Sequence, residues 1–230
     1  MNPGFAGFPP AGIAFLRGLK KHNKREWFQP RKEIYEQKVK APMVELVTAV
    51  MRPLADFAPE YVGDPNKAIF RIYRDTRFSK DKTPYKTHIA AAFTRQGSEK
   101  TCGYYVGISP DEIEVGGGVY MTSPENLRAI RGYLADHYEE FLQITAARDV
   151  RRLFGELQGE SLTRIPKGFP CDHPAADLLR RKQFMLFRTL DASLATSPKL
   201  YREIVKRFEA MTPFLQCLNR PLVRAARMAP

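Results

Sequence analysis

Apolar side chains return at helical intervals along two long stretches of the chain and at alternate positions along several shorter ones. Between Trp27 and Phe57, the residues Phe28, Tyr35, Val39, Met43, Leu46, Val50, Leu54 and Phe57 recur at steps of seven, four or three, the period of a helix with one buried stripe. Pro42 interrupts this stripe. It has no N–H and costs about 3 kcal/mol in a helix interior, so the pattern predicts a kink or a restart with Pro42 in a first turn. Ser123-Pro124-Glu125 combines an N-cap, a proline at the first helical position and an early acid. Ser197-Pro198 repeats the signal ahead of a stripe of Leu200, Ile204, Phe208 and Met211. Between these two starts lie a helical pattern over 137–157, a Pro/Gly-bearing loop over 158–173 and a short helix from Pro174.

Alternation takes over in the middle of the chain. Ala68–Phe78 is rich in β-branched and aromatic residues and reads as a strand with Phe70, Ile72, Arg74 and Phe78 on a core face, and Arg71, Tyr73, Asp75 and Arg77 on the other. Lys86–Thr94, Gly103–Ile108, Glu112–Tyr120 and Gln183–Leu190 are further strands, and Pro110-Asp111 supplies a turn. No strand–helix–strand alternation is present to make the sheet parallel. The fold class is therefore α+β, with a mainly antiparallel central sheet packed by N-terminal and C-terminal helices. One domain over residues 11–222 is expected, with a loose N-terminal arm over 1–10 and a C-terminal tail over 223–230. The opening Met1–Leu16, apolar but broken by Pro3, Pro9 and Pro10, reads as loose and only partly ordered; without a basic n-region or continuous apolar run, it does not fit a secretory signal.

Composition narrows the class. The apolar fraction is 43%, enough for a core, and no apolar run approaches the ~18 residues of a membrane span. Cys102, Cys171 and Cys217 are odd in number and share no metal-ligand spacing, so neither a disulfide framework nor a metal site is expected, and the cytoplasm is the expected compartment. The net charge of +12 favours phosphates, nucleic acid or anionic surfaces as partners. It is unevenly spread: residues 67–88 hold seven Lys/Arg against two Asp, whereas 101–179 hold seven against twelve acids.

Several strings carry a resemblance. They are Asn23-Lys24-Arg25-Glu26-Trp27-Phe28, the run from Phe70 to Lys86 (FRIYRDTRFSKDKTPYK), and Val115-Gly116-Gly117-Gly118. Pro166-Lys167-Gly168-Phe169, His173-Pro174 and Leu218-Asn219-Arg220 extend them. On these residues the chain resembles the family called domain of unknown function 2461. The resemblance implies a one-domain protein and brings no catalytic residues to carry over.

The candidate chemistry lies in the basic run. Arg71, Arg74, Arg77, Lys80, Lys82 and Lys86 offer guanidinium forks and mobile ammonium groups to an anion, and Tyr73 and Tyr85 offer hydroxyls or stacking faces. On an apolar strand face, Arg74 needs an acid, carbonyls or a bound anion. Gly116, Gly117 and Gly118 suit either a phosphate cradle or a bulge with close strand approach. His88 or Asp75 are the candidates for proton transfer, His88 reading equally as a packed histidine. Asp172 or His173, ahead of Pro174, reads as a helix cap and Trp27 as a core anchor. The leading expectation is a phosphate-bearing or other anionic ligand in a basic, tyrosine-lined cleft. The alternatives are a nucleic-acid-binding module on the same surface and a structural or regulatory protein without a ligand site. The sequence discloses no reaction, cofactor or oligomeric state.

Overall fold

The structure, a computed structural model, describes residues 4–97 and 101–228, with side chains described as far as Val223. Helices α1 (Pro10–Lys21), α2 (Arg25–Phe28), α3 (Lys32–Tyr35), α4 (Ala41–Phe57) and α5 (Pro65–Ala68) come first. Strands β1 (Ile89–Phe93), β2 (Gly103–Ile108) and β3 (Glu112–Val119) follow, then α6 (Pro124–Asp136), α7 (Tyr138–Ala146), α8 (Arg148–Phe154) and α9 (Ala176–Arg180). Strand β4 (Phe184–Asp191) and the long α10 (Lys199–Met228) complete the order. The strands form one antiparallel sheet in the order β1-β2-β3-β4, the expected α+β arrangement with helices towards both termini.

Two compact units divide the chain: one takes residues up to 93 with 105–115 and 189–206, the other takes 94–104, 116–188 and the residues from 207 onward. In the first unit, α1 buries Ile13, Phe15, Leu16 and Leu19. This helix lies partly within the stretch expected to be loose. Its proline occupies the first turn, where a missing N–H is harmless. At Gly12 an added Cβ would come within 2.0 Å of the Lys38 carbonyl oxygen, so glycine permits close approach between α1 and the segment 36–40.

That segment, Glu36–Lys40, is π-helical and runs directly into α4, with Pro42 in the first turn. The cause is local. An α-helix would bond the N–H of residue 42 to the Lys38 carbonyl; proline has none, and an i→i+5 pattern passes over it. The restart predicted at Pro42 is thus present, preceded by a widened turn. Leu46, Val50 and Leu54 of α4 are buried, as the stripe requires.

The strand expected over Ala68–Phe78 does not form. Two isolated antiparallel bridges, Ile69 with Ala91 and Tyr73 with Tyr85, take its place. Only Ile72 of the expected core face is buried; Phe70 is 43% and Phe78 94% exposed. Short polar side chains turn the chain back: Asp75 Oδ1 accepts the Arg77 N–H at 3.2 Å, and Asp81 Oδ1 accepts the Thr83 N–H at 2.9 Å. Such side-chain-to-backbone bonds compete with a ladder.

In the second unit, Phe141 packs 6.1 Å from Phe184 and 5.7 Å from Phe214, ring centre to ring centre. Tyr104 and Thr212 share a buried hydrogen bond of 2.8 Å between their hydroxyls. Helix α6 begins as predicted, with Ser123 Oγ accepting the Asn126 N–H. Glycine makes room where β3 meets β4: a Cβ on Gly116 would fall 2.2 Å from the Phe187 ring, and one on Gly118 would fall 2.1 Å from the Phe184 carbonyl oxygen. Gly118 also has φ +127. These contacts are those of the close-approach reading.

Candidate functional site

The turn that replaced a strand builds the site. Residues 72–74 run antiparallel to 84–86: the Arg74 N–H donates to the Pro84 carbonyl at 3.0 Å and the Lys86 N–H donates to the Ile72 carbonyl at 2.8 Å. The two lengths form a short ribbon, and residues 75–83 make the loop at its end. Asn23, just before α2, clamps this ribbon. Its Nδ2 donates to the Tyr85 carbonyl at 2.8 Å and its Oδ1 accepts the Tyr85 N–H at 3.0 Å. The Tyr85 ring stacks on Phe28 at 4.2 Å and 17°, so the ribbon is held by an aromatic floor as well as by hydrogen bonds.

Between the α2 segment and the ribbon lies a cleft of about 800 Å³, with Asn23, Lys24, Arg25 and Glu26 on one side and Tyr73, Arg74, Thr76 and Asp81–Pro84 on the other. Its walls carry four cations, Lys24, Arg25, Arg74 and Lys82, against two carboxylates, Glu26 and Asp81. Arg74 pairs with Asp81 and donates also to the Thr83 hydroxyl. Of the partners expected for Arg74, the acid is present, supplied by the loop at the end of its own ribbon. Asp81 is pushed down to about 2 by the Thr83 N–H, with Arg74 and the Thr83 hydroxyl adding to the effect. Lys82 Nζ donates to the Thr76 carbonyl at 2.9 Å. Lys24 and Arg25 have no carboxylate partner among the described residues.

The basic run does not converge on a single cleft. Arg74 and Lys82 line this one, whereas Arg71 lines a smaller cleft beside it, with Tyr73 shared between them. Arg77 is engaged by Asp75 through two bonds of 3.0 and 2.7 Å. Lys86 lies 5.0 Å over the Phe70 ring, and burial, followed by repulsion from Arg71, lowers its proton affinity. Lys80 is exposed on the loop. Tyr85 is only 1% exposed, and burial pushes its hydroxyl pKa upward.

The two proton-transfer candidates lie apart from the cleft lining. His88 is half-buried in the bend before β1, and burial, then Lys86, lowers its pKa, which keeps it neutral. Asp75 is exposed, with its carboxyl held below the usual range by Arg77. In the other unit, His173 Nδ1 accepts the Ala175 N–H at 3.0 Å in the turn before α9, whose N-cap is Ala175 and carries no side-chain cap bond, so the expected cap is not formed by His173. Cys102, Cys171 and Cys217 are free, and burial raises the pKa of Cys102 and, to about 11, that of Cys217. Among the described residues no group of three or more His, Cys, Asp or Glu is placed to hold a metal ion, and no helix is long and apolar enough to cross a membrane.

Sequence reasoning missed Asn23, Lys24, Arg25 and Glu26 as site residues. They form an unbroken polar string immediately before Trp27, and that string was the available signal; its partner lies 62 positions away, which no spacing rule reaches. Residues 11–216 match the family described as conserved hypothetical protein (DUF2461). No curated protein matches the chain.

Proposed function

The chain belongs to the DUF2461 family, and from the cleft between its Asn23–Glu26 string and its basic ribbon we propose that it binds a phosphate-bearing or otherwise anionic small ligand. One observation carries this reading. Lys24 and Arg25 face a wall on which Asp81 and Thr83 hold Arg74, so two cations without carboxylate partners join one whose geometry is fixed. A fixed guanidinium loses little freedom on meeting an oxyanion, and charge-assisted bonds are the stronger class. The cleft volume of about 800 Å³ falls within the ~300–1,000 Å³ of small-molecule sites. With three free cysteines, the reading assumes a reducing compartment, the cytoplasm.

The test is thermal unfolding of the full chain with sulfate, phosphate and pyrophosphate at constant ionic strength. A ligand at 100 times its Kd stabilises by about 2.7 kcal/mol, so pyrophosphate should raise Tm in the wild type and do so much less in Arg25→Gln. Equal Tm with and without all three anions would overturn the proposal.

A second reading, nucleic acid on the same surface, is favoured by Phe78. Its ring is 94% exposed at the loop tip, with the Arg77 guanidinium 5.8 Å over it, a pairing suited to an unstacked base. Affinity for a single strand that falls linearly in log–log form with salt would support it; salt-insensitive pyrophosphate binding without oligonucleotide binding would not.

A further inference from the structure

Beside the charged cleft lies a smaller one of about 330 Å³ whose walls are mainly apolar and aromatic, among them Tyr35, Ile69, Phe70 and Ile72. The two clefts share Tyr73. This side chain is 46% exposed, and its ring centre lies 5.5 Å from that of Tyr85, so packing holds the ring while part of it remains open to solvent. Phe70 is also partly exposed and is held by Lys86 over its ring and by Tyr105 at 6.4 Å. Exposed aromatic rings held in the wall of a cleft are stacking surfaces awaiting a flat partner.

The rim supplies polar groups of both kinds. Asn66 offers an amide, and Glu36, at the start of the π-helical segment, accepts from Lys40 Nζ at 2.9 Å. Arg71 and Lys32 stand there without carboxylate partners among the described residues. Burial, then Glu36 and Tyr73, raises the Tyr35 hydroxyl pKa, which leaves that group a neutral donor. An apolar slot with aromatic walls, a few hydrogen-bonding groups and a cationic cleft sharing one wall matches a molecule that is flat at one end and anionic at the other.

Building on the anion-binding reading above, we propose that the ligand is a nucleotide, with its phosphates between Lys24, Arg25, Arg74 and Lys82 and its base in the smaller cleft against Tyr73. A sugar phosphate or a simple polyanion would leave the aromatic slot unused. The nucleotide class follows from the shared wall: the tyrosine between the clefts lies where base and phosphate ends meet.

Calorimetric titration of the full chain with inorganic pyrophosphate, ribose 5-phosphate and the four common ribonucleoside 5′-diphosphates tests it. At least one nucleoside diphosphate should bind roughly ten-fold or more tightly than pyrophosphate, the scale of one base–aromatic stack. Tyr73→Ala, at a half-exposed position, should remove about that ten-fold gain while leaving pyrophosphate affinity in place, and Tyr73→Phe should retain it. Arg25→Gln should weaken pyrophosphate and nucleotides alike. Pyrophosphate binding as tight as any nucleotide would overturn the inference while leaving the anion reading standing. Nucleotide preference undiminished in Tyr73→Ala would overturn the placement of the base, and affinity that climbs with oligonucleotide length would overturn the mononucleotide class. Binding of none of the probes would overturn both readings together.

Discussion

Asn23 and Tyr85, 62 positions apart, exchange two hydrogen bonds in which a side-chain amide takes the place of a neighbouring strand. The Asn23 Nδ2 donates to the Tyr85 carbonyl and its Oδ1 receives the Tyr85 N–H, at 2.8 and 3.0 Å. In the other unit Asn219 does the same to Cys102, at 3.1 and 2.7 Å. Both asparagines satisfy backbone groups that lack a ladder partner, and buried groups of that kind are costly to leave unpaired. In the first unit the clamp also has a functional consequence, because it joins the two walls of the charged cleft.

Removing the clamp should therefore be felt in stability before it is felt in charge. Asn23→Ala leaves both Tyr85 backbone groups without that partner and is expected to cost about 2 kcal/mol, each orphaned group being worth roughly 1–3 kcal/mol. Asn23→Asp keeps an acceptor for the N–H but sets a carboxylate oxygen against the Tyr85 carbonyl, so its loss should be at least as large. Urea unfolding of the three proteins ranks them. Wild-type stability in Asn23→Ala would assign the ribbon's hold to the Phe28–Tyr85 stack alone.

Asp81 is ionised at ordinary pH and lines the cleft that the ligand is proposed to enter. Its charge both steadies Arg74 and opposes an anion. Asp81→Asn retains the oxygen that accepts the Thr83 N–H and removes the charge, so pyrophosphate should bind roughly five-fold more tightly, the scale on which one solvated charge acts. Arg74→Met should move affinity the other way, by deleting a cation and leaving Asp81 uncompensated. Unchanged affinity in both variants would separate this pair from the ligand.

The elements legible in the sequence were those in which local period and burial agree. The Leu200, Ile204, Phe208 and Met211 stripe is fully buried along α10, Gly103–Ile108 is a strand as read, and Ser123 caps α6. Alternation failed over Ala68–Phe78, because Phe70 and Phe78 are exposed and the turns at Asp75 and Asp81 reverse the chain before a ladder can extend. Helix α1 was hidden by its proline and glycines, which mark a loop in isolation but here start a helix and admit a close neighbour. Half of the charged cleft was legible from the basic run; the other half depends on Asn23 reaching Tyr85, a tertiary fact without a sequence period.

His88 gives the fold a dependence on pH. Its folded pKa lies below its ordinary value of 6.5, because burial, then Lys86, disfavours the charged ring. In a partly protonated range the unfolded state holds more protons, so stability rises with pH. The contribution is fully present above 6.5 and is lost as pH falls from there towards the folded pKa. Denaturant midpoints measured between pH 5 and 8 should decline on the acid side, and His88→Gln should flatten that decline. An identical slope in the variant would assign the dependence to other groups.

The glycine triplet gives the sharpest contrast between packing and ligand binding, because each account predicts a different outcome for the same substitution. Gly118 combines φ +127 with a Cβ position 2.1 Å from the Phe184 carbonyl oxygen, so Gly118→Ala meets both a disfavoured backbone region and a fixed backbone atom. A positive φ costs an L-residue roughly 1–2 kcal/mol and overpacking adds about 1–3 kcal/mol, so a loss of at least about 2 kcal/mol is expected. Gly132, inside α6, is the control: nothing lies within 4 Å of its added Cβ, and Gly132→Ala should stabilise by about 0.5–1 kcal/mol. Guanidinium unfolding measures both. If the triplet serves only close strand approach, Gly118→Ala that still folds will bind pyrophosphate as the wild type does, since none of the three glycines lines the charged cleft. Pyrophosphate affinity that falls in folded Gly118→Ala but not in Gly132→Ala would instead make the triplet part of the anion site.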